Sequence, residues 1–125
     1  MFRCVLLTIA LSVATLPAFA QAPRKFTAQT LRGELVVTHP PELLLNRQPA
    51  RLAPGARIRG ANNLLVMSGS LVGRSAVVHF TFDTQGNVQD VWVLTATELN
   101  MHPWPVSLQQ AATWAFNPDT QTWSR

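Results

Sequence analysis

Residues 76–94 read AVVHFTFDTQGNVQDVWVL, and this stretch decides the fold class. Ala76, Val78, Phe80 and Phe82 alternate with Val77, His79 and Thr81, the period of a strand with one apolar face and one more polar face. Asp83-Thr84-Gln85-Gly86-Asn87 is turn chemistry, and Val88 to Leu94 is a second strand. The two make a long antiparallel hairpin. Val91 to Leu94 are all apolar, which predicts cover on both faces. Val88 differs in parity from Val91 and Val93, so a bulge is expected near Gln89-Asp90.

Upstream, Leu31 to Thr38 reads as a strand ended by His39-Pro40-Pro41, since consecutive prolines exclude a central strand. Leu43-Leu44-Leu45 is a short apolar patch. Pro54-Gly55 lies between Ala50-Arg51-Leu52 and Arg57-Ile58-Arg59, which predicts a small hairpin with Leu52 and Ile58 inward and the arginines outward. Gly60 to Asn63 is a further turn, and Leu64 to Met67 a further strand. Downstream, Met101-His102-Pro103-Trp104-Pro105 cannot be regular structure. Ser107 with Gln110 forms an S-x-x-Q capping pattern before Leu108, Ala111 and Ala112 at helical spacing. That helix stops before Pro118, and Asp119 to Arg125 adds a short edge or a frayed tail. The expected fold is α+β: a small antiparallel sheet with one short C-terminal helix packed on it through Leu108, Ala112 and Trp114.

At 125 residues, 47% hydrophobic and 13% charged, the chain suits one globular domain and not a disordered segment. Its first twenty residues have the order of a secretory signal: basic Arg3, an apolar run from Val5 to Leu16, the helix breaker Pro17, then Ala18-Phe19-Ala20. Cleavage is expected after Ala20. The apolar run is shorter than the ~20 residues a membrane span needs. Residues 21–30 read as a flexible leader and 31–125 as the single domain, exported to the periplasm or beyond, with no transmembrane span after cleavage. The one cysteine, Cys4, leaves with the leader, so the exported chain has no disulfide and no thiol.

Charge divides unevenly. From Gln21 to Arg74 the bases are Arg24, Lys25, Arg32, Arg47, Arg51, Arg57, Arg59 and Arg74, against Glu34 and Glu42; from Ser75 onward the balance is acidic. A basic half suggests an anionic partner such as membrane headgroups, cell-wall polymer or an acidic protein. The alternative is that the halves neutralise each other, or that these are ordinary solvated arginines. Nucleic acid is not expected as the partner of an exported chain without a binding motif.

Little in the sequence carries chemistry. His39 and His102 precede prolines, and His79 lies on the polar face of a strand, without the spacing of a metal site. A relay through His79, Thr81 and Asp83 competes with the plainer reading of a surface histidine. Ser68-Gly69-Ser70 and Gly73-Arg74-Ser75 do not match a nucleophile elbow, and no phosphate-binding glycine loop is present. No catalytic residue, cofactor or metal is therefore expected. All four tryptophans, Trp92, Trp104, Trp114 and Trp123, fall near the C-terminus. Trp92 and Trp114 read as core. Trp104, between two prolines, and Trp123 are either exposed interface anchors or cover for the edge of a small core.

Residues 73–118 resemble the C-terminal domain of TonB-type proteins. The resemblance rests on the alternating strand Val77 to Phe82, the turn Asp83 to Val88, the strand Val91 to Leu94, and the run AATWAFNP at 111–118, which ends Trp-x-Phe-x-Pro. The family's membrane helix and long Pro-rich spacer have no counterpart here. The resemblance therefore implies a small domain that binds protein through an exposed sheet edge, and not energy transduction. The combined expectation is a non-catalytic exported binding module that engages an envelope protein or an anionic envelope surface. Its expected contact residues are Arg51, Arg57, Arg59 and Trp104.

Overall fold

The structure, a computed structural model, describes residues 23–125; the expected signal segment lies outside them. Among the described residues there are seven strands: β1 (Leu31–His39), β2 (Glu42–Leu45), β3 (Gln48–Arg59), β4 (Ser75–Phe82), β5 (Val88–Val93), β6 (Ala115–Asn117) and β7 (Thr122–Ser124). Two short helices, α1 (Ala96–Leu99) and α2 (Leu108–Thr113), follow β5. Strands β1 to β5 close into a barrel of order β1-β2-β3-β5-β4, and β6 and β7 form a separate two-stranded sheet. The first four strands, in spatial order 4-1-2-3, make a Greek key. Strand β5 then closes the barrel, parallel to β3 and antiparallel to β4.

This corrects the α+β expectation of an open sheet with one packed helix. Closure depends on β1 pairing with β4 and β3 with β5, contacts between segments far apart in the chain that no local pattern announces. Helix α2 starts where predicted, with Ser107 Oγ accepting from Gln110 N at 3.2 Å, but it ends at Thr113, and Ala115–Asn117 pair with β7 as β6 instead of extending it towards Pro118. Gln110 completes no reciprocal box, because its Oε1 accepts from Val106 N instead. Nor does the helix pack through Leu108, which is 59% exposed; Ala111 is its contact with the core. A second helix start went unread: Thr95 and Glu98 form a full capping box on α1.

The decisive hairpin is as read. Thr81 faces Asp90 and Phe82 faces Val88, so Gln89 is the extra residue of the expected bulge. That extra residue restores parity, and Val78, Phe80, Val88 and Val91 all point into a barrel core completed by Leu31, Leu35, Val37, Leu43, Leu45, Leu52 and Ile58.

Pro54-Gly55 behaves differently from its reading. No hairpin forms, and β3 runs through it as one strand of twelve residues. Its first residues, Gln48 to Arg51, pair with β2, and Leu52 to Arg59 face β5 with a register shift between Leu52 and Arg57. The Pro without an N–H and Gly55 at φ 78° serve as a bulge where β3 changes partner, turning a barrel corner instead of reversing the chain. Space is free around Gly55, so only its backbone angle resists a side chain. Gly55→Ala is expected to cost about 1 kcal/mol, read as a lower urea midpoint at unchanged slope.

The expected strand at Leu64 to Met67 is also absent. Residues 60–74 form the connection from β3 to β4, with isolated bridges from Leu65 to Arg59 and from Val72 to Val37 and a 3-10 turn at Ser68–Leu71. Residues 23–30, expected to belong to a flexible leader, are anchored by the buried side chains of Phe26 and Thr30, with Pro23, Lys25 and residues 27–29 exposed.

Candidate functional site

The outer face of the barrel is best followed along one row of paired residues. Arg32 on β1 faces His79 on β4, His79 faces Trp92 on β5, Trp92 faces Arg59 on β3, and Arg59 faces Leu65. Their neighbours Leu31, Phe80, Val91 and Ile58 point inward. The sequence placed His79 on the outward face correctly. What it missed is that the chain outside the barrel strands covers that face.

The cover is aromatic. Phe26, Leu94, Trp104 and Trp123 form a second buried cluster, with Trp92, Met101, Trp114 and Phe116 packed on it. Trp104 is only 5% exposed, so the contact residue expected there is an interior one. It stacks on His79 at 4.2 Å between ring centroids, with the planes 26° apart, and its Nε1 donates to Thr30 O at 3.0 Å. The edge-cover alternative describes Trp104 and Trp123 better than the exposed one, because two prolines fix the chain around a ring that has an apolar slot to fill.

Within this cluster Arg32 is buried yet bonded throughout. Its Nη1 donates to Met101 O at 2.9 Å and its Nη2 to Glu98 O at 2.8 Å, while Nε and Nη2 both approach His79 Nε2, at 3.2 and 3.1 Å. The guanidinium also lies over Trp104, 5.6 Å from its centroid. Burial lowers its pKa, and the Glu98 charge opposes that. A second arginine, Arg24, pairs with Glu98 and also donates to Gly60 O at 3.0 Å and Val93 O at 2.8 Å. Burial alone would raise the Glu98 pKa; hydrogen bonds from Arg24 and Thr95 and the Arg24 charge outweigh it and hold the carboxylate below its usual range.

His79 is fully buried, and its pKa falls to about 3, first through desolvation and then through the charges of Arg32 and Arg24. It is a neutral acceptor at Nε2, which leaves the ring proton on Nδ1, an atom with no hydrogen-bond partner. His79, Thr81 and Asp83 do not assemble into a relay. Thr81 Oγ1 pairs with Asp90, and Asp83 Oδ1 accepts from Gln85 N and Asn87 N in the β4–β5 turn. Without solvent access His79 cannot exchange a proton with a substrate. The Arg32-His79-Trp104 stack is a lock between barrel and cover.

The expected arginines are on the surface. Ile58 points inward, so Arg57 and Arg59 stand outward together, Arg57 exposed and Arg59 half-buried. Arg51 is exposed too, but lies opposite Glu42 on the far side of the bulge, about 25 Å of strand from Arg59. The single ion pair among the described residues is Arg24–Glu98, so these three have no carboxylate within 4.0 Å. Next to Arg59 the β3–β4 connection shows Leu64, Leu65 and Met67 at 65%, 68% and 82% exposure, with Val72 further along. The strand expected from Leu64 to Met67 would have hidden the first three of these from view as surface.

Three clefts mark the surface of the described residues. One, about 460 Å³, lies at the barrel end between Leu31, Phe82 and Val106–Gln109; a second, about 630 Å³, runs over β2 and β3 past Arg51 and Asn87. The third, about 680 Å³, lies between residues 23–25, α1 and residues 119–121 and is lined by Arg24 and Glu98, whose charges are already paired with each other. No three His, Cys, Asp or Glu side chains among the described residues are placed to hold a metal. Among these residues no helix is long and apolar enough to cross a membrane. No protein-family model, curated protein or solved structure matches the chain. The five-stranded Greek-key barrel itself hosts unrelated functions and assigns none.

Proposed function

We propose that the chain is an exported, non-catalytic binding module whose partner belongs to the cell envelope. The observation that carries this is the outer face of β3, where Arg51, Arg57 and Arg59 project without an ion-pair partner among the described residues. The signal-like N-terminus supports export. The closed barrel has no free edge for strand addition, and the open edges of the β6–β7 sheet are only three residues long, which favours this side-chain surface. Fixed, unpaired cations attract anionic surfaces with a strength that falls as salt screens them.

The test is sedimentation of the chain from Gln21 to Arg125 with washed envelope fractions across a salt series. All buried residues of both cores lie within that range. Bound protein is expected to fall steeply between low salt and about 0.5 M NaCl, and the combined Arg51→Ala, Arg57→Ala and Arg59→Ala variant is expected to bind at least about tenfold more weakly. Absence of envelope binding at any salt, or a triple variant that binds as the parent does, would sink this reading.

A further inference from the structure

We propose that the β3–β4 connection, residues 60–74, docks with Arg59 and Arg74 into the headgroup layer of a membrane containing anionic phospholipid. This rests on the envelope-binding reading and names its partner.

The connection is built in two layers. Val66 and Leu71 turn inward and pack on the barrel core. Backbone bonds fix the same stretch, from Gly60 N to Leu64 O and Val66 N to Ile58 O at 2.8 Å, and from Gly73 N to Val37 O at 3.0 Å. On that fixed base Leu64, Leu65, Met67 and Val72 face solvent. The connection crosses the barrel end from Arg59, opposite Leu65, to Val72, beside Val37 on β1.

Charge selects the partner. Residues 60–74 contain no acid and close on Arg74. Of the acids closest in the sheet, Glu34 accepts from Ser75 Oγ at 2.8 Å and keeps its charge, and Asp90 lies opposite Arg57, not Arg59, so the arginines at the base of the connection are not outnumbered. An apolar tip with arginines at its base matches the layered chemistry of a bilayer surface, where apolar side chains enter the acyl boundary and cations stay at the phosphates. Protein hot spots favour Trp, Tyr and Arg, with Leu and Val under-represented; apart from its two arginines this surface has Leu, Met and Val and no aromatic residue.

The experiment is co-sedimentation of the chain from Gln21 with phosphatidylglycerol–phosphatidylethanolamine vesicles and, in parallel, with phosphatidylcholine vesicles. Binding is expected to the anionic vesicles and to weaken with salt. Arg59→Ala with Arg74→Ala is expected to weaken it roughly 25-fold, at about fivefold per arginine. Leu65→Ser with Met67→Ser is expected to weaken it at least about tenfold, with unchanged thermal midpoint because both side chains are exposed. Equal binding to phosphatidylcholine, no binding to anionic vesicles at low salt, or an unaffected Leu65/Met67 variant each overturns the lipid assignment. If vesicles fail while envelope fractions still bind, the envelope reading stands with a protein or polymer as partner. If neither binds, both readings fall.

Discussion

Trp104→Ala is expected to remove about 3 to 5 kcal/mol of stability, the range for emptying a buried indole site. The site has few ways to collapse. Phe26, Phe116 and Trp123 meet the indole edge-on, with ring centroids 5.9, 5.9 and 6.1 Å away, and each is itself held by other contacts. Truncation also strips the stacking partner from His79 and leaves Thr30 O without its donor. A domain of this size has on the order of 5 to 15 kcal/mol in total, so the variant stands near the edge of folding. Urea titration followed by far-ultraviolet circular dichroism measures this without relying on the lost indole. Trp104→Phe keeps a ring in the slot and loses the Nε1 bond, and is expected to fall between parent and alanine variant. A loss below about 1 kcal/mol for Trp104→Ala would mean that the indole is peripheral, as the sequence alone allowed.

Arg32 makes the same region costly to disturb, since its cation is held by two carbonyls and a neutral imidazole instead of a carboxylate. That arrangement explains why much of the architecture was hidden in the sequence. Alternation between neighbouring residues is a local signal, and it correctly gave β1, the β4–β5 hairpin, the Gln89 bulge and the inward set Leu52, Ile58, Val78 and Phe80. Which strand meets which is not local. The β1–β4 and β3–β5 pairings that close the barrel leave no mark on the residues that make them.

Pro54-Gly55 shows how one local signal serves two geometries. A missing N–H and a positive φ suit a chain reversal and a bulge equally, and the tertiary pairing decides between them. The consequence reaches the candidate surface: a hairpin would have set Arg51 beside Arg57 and Arg59, whereas the through-running strand separates them. The burial of His79 and Trp104 is hidden for the complementary reason. Each was assigned from its own strand or loop, while burial was created by segments that meet only in the fold: residues 23–30 from one end and 101–123 from the other. The available hint was compositional, four tryptophans crowded into the last third of the chain with an apolar cluster still to find. Arg57 and Arg59 were legible because outward arginines beside an inward isoleucine need no tertiary knowledge.

The protonation of His79 gives the second large effect. Its pKa is about 3 in the fold against an ordinary 6.5. Between those values the unfolded chain binds a proton that the folded chain refuses, so stability rises with pH and is lost on acidification. The expected slope approaches 1.4 kcal/mol per pH unit below about pH 6, and the total loss by pH 3 is roughly 4 to 5 kcal/mol. The cause is specific. A proton on Nε2 would remove the acceptor used by Arg32 and set two cations about 3 Å apart in a site otherwise lined by Phe26, Trp92 and Trp104. Glu98 acts in the same direction at lower pH. Its depressed pKa contributes stability that is present above its ordinary 4.5 and is lost as pH falls through the folded value. The interval from about pH 6.5 to 5 therefore isolates His79. Urea midpoints across that interval should decline in the parent chain and stay nearly flat in His79→Gln, whose amide oxygen can still accept from Arg32 but does not titrate. A parent that shows no slope there, or a His79→Gln variant that keeps it, would mean that the imidazole is open to water and that the aromatic cover does not seal the outer face of β4.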